Sequence, residues 1–225
     1  MDTTLVIPQN SANHDEATTV KQTINDMIES LIAELPDPQH LTSEERRGII
    51  ARYSAVLEGN FIYWMTATYM ALKSDEARPI LLENLHEEVR DAHPAMLRRF
   101  TVAAKAFPTE ADALVVHDEM TKVRVFLGRL SGVQSVVTMA FFEGFIQRFM
   151  AYLGSLATAQ GSTDMEYTDV HGVCDIAHTD GLFQALALEM EVNPLDENQD
   201  LLEGVNILRS LMETVVFNKT VANAA

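Results

Sequence analysis

Cysteine is almost missing from this chain: Cys174 is the only one among 225 residues. A disulfide framework and a cysteine-rich zinc site are therefore excluded. Basic residues are also scarce, 16 Lys and Arg against 33 Asp and Glu, for a net charge of -17. Such a surface has little to offer nucleic-acid phosphates or an anionic bilayer, so neither is expected as a partner. No run approaches the roughly 18 uncharged apolar residues of a membrane helix. The first residues, Met1 to Pro8, have neither the basic start nor the apolar stretch of a signal peptide, and a soluble, cytoplasmic protein is the expectation. Glycine and proline are few, 10 and 7, which leaves room for long helices. The 47% of apolar residues suffices for the core of one large domain.

Apolar periodicity points to an all-α, single-domain bundle of about seven helices, with no strand signal. Residues 1–15 are polar and aperiodic and read as a loose tail, with the domain spanning 16–225. A first amphipathic helix runs from about Glu16 to Leu35. Thr42 and Glu45 form a capping-box pattern that opens a second helix reaching towards Lys73. Within it Glu58 is the one charge in a stretch that is apolar almost all round. A third helix starts near Ser74, with Leu82, Leu85, Val89 and Ala92 as its buried stripe, and Pro94 interrupts it after His93. Phe107-Pro108-Thr109 starts a further helix, a Ser131-Gly132 break precedes a long apolar helix to about Ala157, and Pro194 separates the last two helices. The final one is expected from about Leu195 to Lys219.

The chemistry concentrates in His171, Asp175 and His178. Spacings of four and three residues bring all three onto one helical face. Imidazole with carboxylate is a ligand set for iron, manganese or zinc. Elsewhere Glu143 stands alone in a long apolar helix, where an unpaired carboxylate costs several kcal/mol. On the third helix, periodicity sets Glu88 and His93 on the flanks of the buried stripe and turns Glu87 away from the core. Adding Glu58 gives four carboxylates and three imidazoles: Glu58, Glu88, His93, Glu143, His171, Asp175 and His178. Four negative charges balance two divalent cations, which favours a two-iron site over a single metal.

Three stretches also resemble, in order, the haem-oxygenase-like diiron oxidases and oxygenases. Asn84-Leu85-His86-Glu87-Glu88 with His93 is similar to that family's Asn-Leu-x-x-Glu helix and following histidine. Glu143 is similar to its lone helix glutamate, and His171, Asp175 and His178 to its closing motif. The resemblance implies a haem-oxygenase-like bundle, two irons that bind weakly and react with O2, an external electron donor and, commonly, a homodimer. It also implies that Asp91 serves as an auxiliary carboxylate. Members act on small molecules, among them fatty acids and amino acids. By analogy, the aromatic wall that includes Phe61 and Phe142 favours an amino acid, with a tryptophan-like one converted to a nitrile as its finest form, and a fatty-acid decarboxylase or desaturase as the alternative. Arg148, beyond Glu143, is a candidate partner for a substrate carboxylate, against a surface salt bridge. Two further alternatives are a ferritin-like reading through Glu83 and His86, and a non-catalytic iron-binding bundle. Cys174 is expected to be a packed thiol.

Overall fold

The computed structural model describes residues 10–196 and 198–218. Among these residues are nine α-helices and no strand: α1 (Asn10–Ala33), α2 (Ser43–Leu57), α3 (Phe61–Ala71), α4 (Arg78–Arg90), α5 (His93–Ala103), α6 (Glu110–Leu127), α7 (Gly132–Ala159), α8 (Glu166–Val192) and α9 (Glu203–Phe217). Helix α7 runs through the centre, packed along α8 and flanked by α1, α2, α3 and α9. Its Phe141, Phe142, Phe145 and Phe149 are fully buried, each contributing on the order of 2–3 kcal/mol of apolar burial. No described helix is long and apolar enough to cross a membrane.

Two capping boxes form. Thr42 with Glu45 opens α2, and Thr109 with Asp112 opens α6, satisfying backbone N–H groups that would otherwise lack partners. The first helix starts at Asn10, so residues 10–15 are helical and not tail. Residues 1–9, 197 and 219–225 lie outside the described residues. The expected single helix from Thr42 to Lys73 is two, because Gly59 takes φ +79, a left-handed conformation that costs glycine nothing. Asn60 consolidates the break, its Nδ2 donating to the Val56 carbonyl at 2.8 Å and its Oδ1 accepting from Arg124.

The third helix also differs from its expected phase. Helix α4 begins at Arg78 and buries Leu81, Asn84, Leu85 and Glu88, leaving Leu82 and Val89 exposed. The inward-facing Asn84 and Glu88 both find polar partners there, whereas Leu82 and Val89 would not. Ala92, at φ 55, reverses the chain between α4 and α5, so Pro94 sits in the first turn of α5 rather than kinking a continuous helix. The last helix begins at Glu203, later than Leu195, after a stretch of turns.

Candidate metal centre

Four helices converge on one buried polar cluster: α4 brings Glu88, α5 brings His93, α7 brings Glu143 and α8 brings His171, Asp175 and His178, all buried. The reversal at Ala92 turns His93 back onto the preceding helix, so that its Nδ1 lies 2.7 Å from Glu88 Oε1. The His93 and His171 rings meet edge to face with centroids 4.5 Å apart. Donor atoms of Glu88, His93 and His171 fall within 4.8 Å of one another, and those of Cys174, Asp175 and His178 do the same. Glu88, His93, Glu143, His171 and Asp175 line one pocket, whereas His178, beside Asp175, lines a separate cleft with Glu87. Glu143 stands between the two ligand groups, its Oε1 accepting from Asn84 Nδ2 at 3.1 Å and lying 3.9 Å from His178 Nδ1.

Hydrogen bonds outside the cluster fix which imidazole nitrogen faces inward. His171 Nδ1 donates to the Tyr167 carbonyl at 2.9 Å, leaving Nε2 free. His178 does the reverse: Nε2 bonds Glu87 Oε2 at 2.8 Å, and Nδ1 faces Asp175 at 3.7 Å. Partners of this kind set the tautomer and orientation of a metal-bound histidine. Beneath His171 the Tyr167 ring packs at 4.2 Å, and the Tyr167 and Tyr53 hydroxyls share a 2.8 Å hydrogen bond. The Cys174 thiol donates to Asp175 Oδ1, and burial pushes its pKa upward.

The charges need compensation. No lysine or arginine pairs with Glu88, Glu143 or Asp175 among the described residues; their ion-pair partners are imidazoles. Burial, reinforced by repulsion from Glu88, raises Glu143 to about 7 despite the attraction of His178. Burial likewise raises Asp175 well above the usual carboxylate range, with Glu143 adding to it. Burial lowers His171 to about 4, whereas in His93 the Glu88 hydrogen bond and charge outweigh burial and raise it. Asp175 Oδ2 and His178 Nδ1 are buried with no hydrogen-bond partner. Orphaned donor atoms beside buried, mutually repelling carboxylates fit divalent metal ions in a nitrogen and oxygen environment.

Of the seven ligands expected from the sequence, six meet here. Glu58 does not: as the C-cap of α2 it ion-pairs with Arg98 of α5 at the protein surface. The inner set is therefore three carboxylates and three imidazoles, one carboxylate short of the expected charge balance. Asp91 is held by Arg90 at 2.9 Å on the exposed end of α4, and that bond keeps its pKa below the usual range. Arg148 lies elsewhere too, bonded to Glu29, to Asn25 and to its own helix at Gly144. The salt-bridge reading holds for it. Phe61 does line the pocket, and Phe142 packs behind it against Phe61 and Trp64, at 6.1 and 5.4 Å.

Asn84 stood in the family-like motif without a role of its own, Glu87 was expected to point away from the core but bonds His178, and Tyr167 and Arg98 were not anticipated. Asn84 precedes Glu88 by four residues, which was signal enough to place it on the same face. Nothing local marks Glu87, whose role depends on where α8 lies. Above the cluster, Leu57, Phe61, Ile62, Pro94, Leu97 and Ile146 wall a narrow pocket whose floor is Glu88, His93, Glu143, His171 and Asp175.

A search of individually curated proteins gave no match. A family model described as iron-containing redox enzyme matches residues 50–211, a span that holds every member of the cluster. With that match covering well over half of the chain, and with an all-helical bundle enclosing the buried histidines and carboxylates, the protein belongs to the haem-oxygenase-like family of iron-containing redox enzymes.

Proposed function

We propose that this protein is a non-haem diiron oxidase or oxygenase that uses O2 to transform a small organic molecule. The observation that carries this reading is the pair of ligand groups, Glu88 with His93 and His171, and Asp175 with His178, the first group and Asp175 lining one apolar pocket. Glu143, oriented by Asn84, stands between the two. Two irons held there would supply oxidation of a bound substrate with O2 as oxidant.

The chain's own residues do the rest. Glu88, Glu143 and Asp175 provide negative charge where water cannot, and His93, His171 and His178 provide nitrogens already turned by their outer hydrogen bonds. Leu57, Phe61, Ile62 and Ile146 exclude solvent and contact the organic part of the substrate. An amino acid with an aromatic side chain suits the rings of Phe61 and Phe142, and a tryptophan-like compound converted to a nitrile is the finest form of this reading. Arg98 takes the place expected of Arg148 as the cation for a substrate carboxylate. It follows Leu97, which lines the pocket, and pairs with Glu58, which stands in sequence between the pocket residues Leu57 and Gly59. An external electron donor belongs to the same reading.

The test is anaerobic titration with Fe(II), followed by O2-consumption assays across panels of amino acids and fatty acids. About two irons per chain and a substrate that accelerates O2 uptake are expected. Substoichiometric iron with no acceleration by any substrate would sink the proposal.

A further inference from the structure

The buried cluster has a second approach. A cleft between α4 and α8 is lined by Glu83, Asn84, Glu87, His178 and Gly181, and it shares no lining residue with the apolar pocket. Ile80, Ala177 and Leu182 complete its lining. Two carboxylates stand along it. Helix α8 contains no lysine or arginine, and the arginines of α4, Arg78 and Arg90, are each engaged by an aspartate.

Its inner wall is one bond from the metal centre at two places. Asn84 bonds Glu143 through Nδ2, while its Oδ1 is buried and has no partner. His178 bonds Glu87 through Nε2, while its buried Nδ1 has no partner and faces Asp175. Outer carboxylates, an unpartnered carboxamide oxygen and a histidine spanning the wall form a graded set of donors for a divalent cation.

We infer that the α4–α8 cleft is the route by which the metal enters, separate from the mouth that admits substrate. Glu83 and Glu87 attract the hydrated cation, Asn84 Oδ1 and His178 replace part of its water, and Asp175 and Glu143 receive it. The division follows from desolvation and charge. Both approaches pass apolar side chains, but the cleft adds Glu83 and Glu87, which lower the cost of drawing in a hydrated dication and repel an anionic substrate. The inference rests on the metal reading given under Proposed function.

Stopped-flow uptake of Co(II) by the metal-free, full-length protein tests it, with chelator-driven release measured alongside. Glu83 is exposed and touches no ligand, so Glu83→Gln and Glu83→Lys should leave the fold intact. A residue on the route alters uptake and release by the same factor and leaves the equilibrium affinity alone. We expect both rates to fall about tenfold in Glu83→Lys, and less in Glu83→Gln, at low ionic strength, with unchanged Co(II) stoichiometry. Asp118→Lys, an equal change of net charge on α6, should leave both rates unaltered. Wild-type rates in Glu83→Lys, or an equal slowing in Asp118→Lys, would overturn the route. Failure of the wild-type protein to bind Co(II) at all would overturn the metal reading, and this route with it.

Discussion

Replacing Glu143 by glutamine in the metal-free protein measures what it costs to keep a carboxylate in this core. Burial raises the Glu143 pKa from 4.5 to about 7, with Glu88 adding to the effect and His178 opposing it. Because the folded value lies above the unfolded one, the ionised side chain disfavours folding. Below pH 4.5 both states are protonated and there is no penalty; it grows as pH rises and levels off above about 7. At about 1.4 kcal/mol per pH unit, the plateau is on the order of 3 kcal/mol. Glutamine keeps the shape and can still accept from Asn84 Nδ2, but it has no charge to desolvate. The stability of Glu143→Gln relative to wild type should therefore increase by about 3 kcal/mol between acid and mildly alkaline pH, roughly 10 °C in Tm for a chain of this size. Urea and thermal melts in chelator across that range read the difference directly. Parallel pH profiles for the two proteins would refute the reasoning. With metal present the order should reverse, since the ionised carboxylate is then an asset.

Glu87→Ala should weaken Co(II) binding about 10- to 100-fold through loss of the His178 partner, with Glu87→Gln less affected; calorimetric titration gives the affinities. Asp112→Ala removes both the α6 capping box and the paired hydrogen bonds from Arg47, and should cost about 3–5 kcal/mol in urea denaturation. Burial alone would raise the Asp112 pKa, but the Arg47 and Thr109 bonds outweigh it and hold it low. The wild-type advantage is thus present at neutral pH and disappears in acid as Asp112 protonates. Gly204→Ala places a methyl 2.1 Å from Thr138 Oγ1 and 2.3 Å from Phe126, between α9 and its neighbours. It should lower stability by about 1–3 kcal/mol in the same assay, leaving metal stoichiometry unchanged.

The fold was legible where local rules decide. Capping boxes, proline stops and the apolar length of α7 placed most helix ends, and a charge stranded in an apolar run pointed to Glu143. The same rule failed for Glu58, because isolation along one helix does not reveal the other helix that supplies Arg98. The split at Gly59 escaped notice because apolar periodicity continues on both sides of it. Helix α4 shows the sharpest limit. Counting Leu82 and Val89 as buried follows from hydropathy, yet Asn84 and Glu88 occupy the inner face because their partners come from α5 and α7. The outer partners of the site, Glu87 above all, were out of reach for the same reason: a hydrogen bond between α4 and α8 is a fact of packing, not of spacing.

The turns of α8 around the site are inside out: His171, Asp175 and His178 point inward while Val173 and Ile176 face solvent, 72% and 53% exposed. Hydrophobic burial, which secures most helices, here works against docking. Ligation must then supply part of the free energy that holds this segment down, so metal occupancy and local folding are linked. Without metal, amide exchange should be fastest between residues 171 and 178 while the aromatic heart of α7 stays protected. Substitutions that make this face apolar would gain stability by surrendering the chemistry.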